Sequence, residues 1–169
     1  MLPKLQFWTW FFRGTGGKSG LKRVCDKWLL LHFAIAVFCL TFDGAQDLSE
    51  TAKGVVLPFA GALLGMTFAW SGNITALLST NQLSKLAQHH PEGISVSVYI
   101  VQQAILIILT TCILWTFIAL KIVSADYWRL VAYHMSSMSV RECWQTILFA
   151  QYMTICREYI SRQDKDKIQ

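Results

Sequence analysis

The side chains best suited to chemistry are scattered along the chain, and none of them forms a pattern that a common reaction requires. The Gly-Lys-Ser sequence at 17–19 is typical of phosphate-binding loops, but such a loop needs a glycine five residues before Gly17, where Phe12 stands. His89 and His90 are adjacent and would point in different directions on a helix, and no further ligand lies at a metal-binding spacing. We therefore predict no catalytic residue, no metal site and no cofactor, and hence a protein that is not an enzyme.

Polar side chains also occur inside the apolar segments, where they are costly unless they find partners. His32 is a functional candidate for that reason, although a hydrogen bond to a neighbouring helix is its commoner role. Gln103 and Thr110 are seven residues apart and share one face of a predicted helix. Such residues stabilise contacts between helices or line a wet passage, and we expect the first. The polar residues assigned to the bundle interior or to a pore are His32, Asn73, Gln103, Thr110, Gln145 and Gln151.

The composition indicates that these segments lie in a lipid bilayer. The chain has 169 residues, of which 54% are hydrophobic and 15% charged, and its mean hydropathy is +0.41. A soluble domain averages about 45–50% apolar and about 25% charged residues, and a chain of this size has too little interior to bury the excess. The formal net charge of +5 comes from basic residues near both ends, which favours lipid headgroups over nucleic acid as the partner.

Hydropathy predicts an all-α fold, an integral membrane four-helix bundle. Residues 1–27 form a basic and aromatic leader, residues 24–160 the transmembrane domain, and residues 161–169 a charged tail. The last helix is expected to begin near Ser139, because Ser139 and Glu142 have the spacing of a capping box. The four predicted spans are 24–42, 54–78, 96–120 and 140–160.

The distribution of Lys and Arg predicts the orientation of this bundle. Cytoplasmic loops of membrane proteins are enriched in Lys and Arg. Four spans with the amino terminus inside place most of the basic residues in cytoplasmic segments, whereas three spans divide them almost evenly. We therefore predict a multi-pass protein with both termini in the cytoplasm.

Aromatic residues dominate the leader. Trp8, Trp10, Phe11 and Phe12 lie close to basic residues, a combination that suits the headgroup layer of a membrane. We predict that these four residues anchor the leader at the membrane interface. A docking surface for a protein partner is the alternative.

Small residues recur along the second predicted span. Gly61, Gly65 and Ala69 are four residues apart, and Gly72 follows them. Such a stripe lets two helix backbones approach closely in lipid. It predicts a packing surface but leaves open whether the second helix belongs to the same chain or to another copy. We expect a homo-oligomer.

The acidic residues carry a further expectation. All of them are assigned to loops, helix ends or the tail, so no carboxylate is expected in the middle of the membrane. That placement is evidence against a proton-coupled exporter.

The segment LPFAGALLGMTFAWSGNITALL at 57–78, with the short polar loop and long apolar span after it, resembles small four-span bacterial membrane proteins of anti-phage defence systems. The membrane subunit of the Kiwa system is of this type. The resemblance covers about the middle third of the chain and consists of helix-packing motifs. It implies an oligomeric component of the bacterial inner membrane that senses phage attack or holds a cytosolic effector.

Three functional hypotheses follow. The first is a non-enzymatic oligomeric membrane subunit that recruits or regulates a soluble cytosolic protein, as in antiviral defence. The second is a pore-forming effector that depolarises the membrane. The third is a small transporter.

Overall fold

The part of the chain that the computed structural model describes is almost entirely helical and comprises residues 3–14, 19–42, 48–78, 91–123 and 126–166. No strand occurs in these ranges, so the all-α prediction is confirmed. The helices are α1 (Pro3–Arg13), α2 (Gly20–Val24), α3 (Trp28–Phe42), α4 (Leu48–Thr51), a π-helical turn (Ala52–Val56), α5 (Leu57–Leu78), α6 (Pro91–Ala119) and α7 (Asp126–Asp166).

Within the described residues, two helical stretches are long and apolar enough to cross a membrane. They are Leu48–Leu77 and Val96–Ala119, and they correspond to the second and third predicted spans. The apolar helix α3 has only 15 residues. It begins later than the predicted 24–42 span because Asp26 forms a turn, in which its carboxylate accepts a hydrogen bond from the backbone N–H of Trp28 (2.9 Å).

A π-helical turn joins α4 to α5 within one continuous helix. The backbone N–H of Leu57 donates to the carbonyl of Ala52, which is the five-residue spacing of a π turn. Pro58 follows directly, and its ring and missing N–H disturb an ordinary α-helical turn before it. The wider turn accommodates the proline, so the helix begins before the predicted boundary at residue 54.

The last helix differs most from its prediction. α7 has 41 residues and begins at Asp126, so the predicted start near Ser139 is wrong. Ser139 does not cap a helix. Its hydroxyl donates to the backbone carbonyl of Met135 (2.9 Å), one turn earlier in the same helix. The sequence before Ser139 is too polar for hydropathy to indicate a membrane span, so this part of the helix was not predicted.

α7 is the central helix of the bundle and packs against α3, α5 and α6. Three layers of buried residues connect α5, α6 and α7, and their order shows that α5 and α7 run in the same direction while α6 runs opposite to both. Asp26, just before α3, contacts Arg141 of α7, whereas His32, further along α3, contacts the earlier Ser137, so these two helices are antiparallel. The layers contain Ala52, Trp115 and Ala132, then Leu63, Ile108 and Cys143, then Ile74, Val101 and Ala150.

Candidate functional site

An ion pair connects the turn before α3 to the middle of α7. The guanidinium of Arg141 donates to both carboxylate oxygens of Asp26, from Nη1 to Oδ1 at 3.2 Å and from Nη2 to Oδ2 at 2.9 Å. Nη2 also donates to the backbone carbonyl of Arg23 (3.1 Å). The Arg141 and Asp26 side chains are 13% and 31% exposed. This two-pronged geometry fixes the position of α3 along α7.

Two further side chains of α7 extend this ion pair. Gln145 Oε1 accepts a hydrogen bond from Arg23 Nη2 (2.7 Å). Burial lowers the pKa of the Arg23 guanidinium, and the nearby carboxylate of Glu142 opposes that shift. We refer to Arg23, Asp26, Arg141, Glu142 and Gln145 as the ionic cluster.

Glu142 is the unexpected member of the ionic cluster. It is 1% exposed, and neither carboxylate oxygen has a hydrogen-bond partner among the described residues. It lies in the interior of α7 rather than at a helix end, so the expectation that all acidic residues occupy loops, helix ends or the tail is wrong. A buried carboxylate between helices is a functional candidate.

Two serines of α7 form hydrogen bonds to other helices beside the ionic cluster. Ser137 Oγ lies 2.7 Å from Nδ1 of His32 on α3. Ser136 Oγ accepts a hydrogen bond from the indole N–H of Trp115 (2.7 Å) on α6. These serines were missed because the sequence assigned them to a loop.

The structure divides the six polar residues that were predicted to lie in the bundle interior. His32 and Gln103 are buried and Gln145 is partly buried. The other three are exposed on the outer surface of the bundle, so their interior placement is wrong: Asn73, Thr110 and Gln151.

The difference between Gln103 and Thr110 has a physical reason, although both lie on one face of α6. At the level of Gln103 that face is covered by the leader, since Gln103 Oε1 lies 3.0 Å from the position of a Cβ atom on Gly20. α2 ends at Val24, and α3 packs on α7 instead. The face is therefore uncovered at Thr110, whose hydroxyl donates to the carbonyl of Leu106 (2.8 Å) in its own helix.

The aromatic leader is divided in the same way. Trp10 is fully buried, with its ring centre 5.5 Å from that of Tyr99 on α6, so its predicted role as an interface anchor is wrong. Phe11 is partly buried. Trp8 and Phe12 are 48% and 62% exposed and remain available to contact lipid.

Gly20 permits this packing of the leader. A Cβ atom at residue 20 would lie 2.6 Å from a ring carbon of Phe11 and 2.8 Å from one of Trp10. Both distances are shorter than real side-chain contacts. Only glycine allows α1 and α2 to approach this closely.

The small-residue stripe of α5 faces away from the rest of the bundle. Gly61, Gly65, Ala69 and Gly72 are all exposed. Apart from the helix's own backbone, no described atom lies within 4 Å of a Cβ position at any of the three glycines. Asn73 continues the four-residue spacing of the stripe and is exposed as well. Packing among the described residues therefore does not use this surface.

A cavity of about 770 Å³ lies between α3 and α7, with Phe59 of α5 contributing to its wall. Its walls are mostly apolar. Arg141 and Gln145 of the ionic cluster line it near the start of α3, and His32 lines its centre. We refer to this space as the α3–α7 cavity.

Some sequence features lie outside the described residues, including Lys18 of the Gly-Lys-Ser sequence and the pair His89 and His90. Among the described residues, no group of three His, Cys, Asp or Glu side chains is arranged to hold a metal ion. Comparison of the chain with protein-family models, with curated proteins and with solved structures gives no match.

Proposed function

We propose that the protein is a non-enzymatic, homo-oligomeric membrane subunit that recruits or regulates a soluble cytosolic partner. It crosses the inner membrane four times, with α3, α5, α6 and α7 as spans and both termini in the cytoplasm. The alternating directions of these four helices support this topology. The apolar surface of α3 supports it further, since Leu30 and Phe42 are 75% and 74% exposed.

The observation that carries the oligomer is the outward-facing stripe of α5. In lipid, helices associate through close backbone packing and interhelical hydrogen bonds. Gly61, Gly65 and Ala69 provide the close approach, and Asn73 places a polar amide on the same surface. An amide is costly against lipid but stabilising against a second copy of the same stripe. The stripe and its amide together support self-association.

The recruitment of a cytosolic partner rests on the end of α7. Arg157, Glu158, Tyr159 and Arg162 are exposed there, and the helix continues to Asp166. In the proposed topology this charged surface faces the cytoplasm. The resemblance to defence-system membrane subunits extends the proposal to a sensor or anchor in bacterial anti-phage defence.

Tagged purification from native membranes in mild detergent tests this function. We expect a homo-oligomer that retains a soluble protein in fixed stoichiometry, as read from the mass of the complex and the identity of its components. A monomer without an associated protein contradicts the proposal. The matched control is the same purification with the exposed end of α7 altered by Arg157→Glu and Arg162→Glu, which we expect to release the partner and preserve the oligomer.

Enlarging the stripe is expected to dissociate the oligomer. Gly61→Leu combined with Gly65→Leu fills the surface on which two backbones would meet, and no described residue lies within 4 Å of the new Cβ atoms apart from the helix's own backbone. We expect the mass of the purified complex in detergent to fall to that of the monomer. Ala34→Leu is the control, because Ala34 is an exposed small residue on α3, away from the stripe. An unchanged mass in the double variant would exclude the stripe as the interface.

Glu142 supports a second candidate function, a proton-coupled small transporter. Carboxylates buried between the helices of a membrane protein often belong to the proton relays of pumps and transporters. For this candidate we expect proton flux into vesicles that contain the purified protein, and its loss in Glu142→Gln. Glu158→Gln, at an exposed position, is the control. Wild-type vesicles without proton flux contradict the transporter.

The pore hypothesis has less support, because Thr110, Asn73 and Gln151 face outward.

A further inference from the structure

The α3–α7 cavity is a lateral opening in the bundle with mostly apolar walls. Leu31 of α3 and Leu148 of α7 line it from two sides, and Phe59 of α5 adds an aromatic ring. The described part of α3 packs mainly on α7, so the cavity opens at the side of the bundle, which is the lipid side in the proposed topology. Its volume of about 770 Å³ is within the range of sites for small organic ligands. A ligand of this cavity therefore enters from the lipid and is itself largely apolar.

The main polar side chains of the cavity lie near the middle of the membrane in that topology. The buried layer of Leu63, Ile108 and Cys143 is close to the midpoints of the two helical stretches that are long enough to cross a bilayer. Arg141 and Gln145 flank Cys143 on α7, and both line the cavity. A charged group is costly at this depth unless it has a partner. The depth therefore favours a ligand whose polar group is uncharged.

The polar wall provides hydrogen-bond donors. Gln145 uses its Oε1 to accept a hydrogen bond from Arg23 (2.7 Å), which leaves the two N–H groups of its amide to serve as donors. Arg141 is a donor by nature, and its carboxylate partner Asp26 does not line the cavity. No other Asp or Glu among the described residues lines it either. This wall complements a ligand that carries acceptor oxygens.

Two tryptophans border the polar wall. Trp28 of α3 and Trp144 of α7 both line the cavity and are 48% and 59% exposed. Aromatic side chains pair with a second flat ring more favourably than the buried area alone explains. The cavity therefore suits a ligand with a flat ring close to Gln145.

From these contacts we propose that the α3–α7 cavity binds an isoprenoid quinone of the membrane, with one ring carbonyl accepting a hydrogen bond from the amide N–H of Gln145. The ring lies beside Trp28 and Trp144, and the isoprenoid tail extends along Leu31 and Ile35 towards the lipid. A quinone is uncharged and dissolves in lipid, and the oxygens on its flat ring accept hydrogen bonds without donating any. The inference rests on the proposed membrane topology, but it does not depend on the oligomer or on the cytosolic partner.

Isothermal titration calorimetry with decylubiquinone tests this site. The purified full-length protein in mild detergent is titrated with decylubiquinone or with decylbenzene, which has the same tail and no carbonyl oxygen. We expect one decylubiquinone per chain, with a dissociation constant at least about tenfold below that of decylbenzene. Equal binding of the two compounds overturns the proposal. Displacement of the bound quinone by phosphatidylglycerol at equal concentration overturns it too, because the cavity would then hold an acyl chain.

A variant of Gln145 tests the contact with the ring carbonyl. Gln145→Glu keeps an oxygen that accepts from Arg23 but replaces the amide N–H groups by a second acceptor oxygen. We expect the affinity for decylubiquinone to fall about tenfold or more. Gln151→Glu makes the same change at an exposed residue of α7 that does not line the cavity, and it should leave binding unchanged. Wild-type affinity in Gln145→Glu contradicts the proposal.

A second pair of variants tests the space that the ring and tail need. Val140→Trp fills the cavity from an exposed wall position and is expected to weaken decylubiquinone binding about tenfold or more. Val98→Trp adds the same bulk to an exposed residue of α6 that does not line the cavity, and it should leave binding unchanged. Undiminished binding in Val140→Trp overturns the proposal, and so does a lower oligomer mass, because a second copy would then occupy the cavity. The mass of the wild-type complex is measured on the same preparation, so failure of the quinone site is distinguishable from failure of the proposed function.

Discussion

Arg141→Ala is expected to lower the free energy of unfolding by about 3 kcal/mol. The substitution leaves the Asp26 carboxylate without the guanidinium that donates to both of its oxygens, and the side chain of Asp26 is only 31% exposed. It also removes the hydrogen bond to the backbone carbonyl of Arg23. The α2–α3 turn then loses its main polar connection to α7. Thermal unfolding of the purified protein in mild detergent measures the effect.

Arg162→Ala is the matched control for that prediction. Arg162 also pairs with a carboxylate, since its Nη2 lies 2.6 Å from Oε1 of Glu158. The two side chains are 75% and 63% exposed, so solvent screens the pair and we expect a loss below about 0.5 kcal/mol. Equal losses in the two variants would show that burial does not distinguish the two ion pairs.

Trp10→Ala is expected to cost about 3 kcal/mol of stability and to detach the leader from α6. Trp10 is fully buried, and its ring lies against Tyr99. Removing the indole leaves a large cavity among α1, α2 and α6. We expect the variant to unfold at a lower temperature and the leader to become sensitive to protease.

Trp8→Ala separates core packing from membrane anchoring. Trp8 is two residues away and 48% exposed, so its loss leaves no internal cavity. We expect wild-type protease resistance in Trp8→Ala. If the two variants behaved alike, the leader would be held by lipid contact rather than by packing on α6.

The apolar helices of this fold could be predicted from the sequence because high hydropathy within one segment is enough to indicate them. The second and third predicted spans contain apolar windows long enough to cross a bilayer, and the structure has helices there. The ends of the helices were predicted less well. The second span was predicted to begin at residue 54, but a π turn lets the helix continue back to Leu48.

The ionic cluster could not be predicted from the sequence, because its members are distant from one another along the chain. Asp26 and Arg141 are separated by 115 residues. Taken separately, each indicates only a charged residue near the end of a predicted span. The apparent capping box at Ser139 and Glu142 also assigned Glu142 to the start of a helix, so its buried position inside α7 was not predicted. The sequence did contain one signal of this cluster. Arg141 and Glu142 are two adjacent charges at the start of an apolar stretch, where charged side chains are costly unless they have partners.

Side-chain orientation was the other limit. A sequence period shows which residues share a face, but it does not show where a neighbour covers that face. Gln103 and Thr110 illustrate this, because the leader covers only the first. The stripe of α5 is the complementary case, since its spacing was evident but its outward direction required the structure.

The shortness of α3 has a consequence for the surrounding bilayer. Its 15 residues extend about 22 Å, whereas the hydrocarbon layer is about 30 Å thick. In the proposed topology the span Leu48–Leu77 is twice as long, so one side of the bundle has a hydrophobic mismatch that the other side lacks. In that topology the bilayer beside α3 must become thinner to match it, at a fraction of a kcal/mol for each ångström. If the proposed topology holds, the stability of the protein depends on the local thickness of the membrane, and a change in that thickness acts on α3 before it acts on the rest of the bundle.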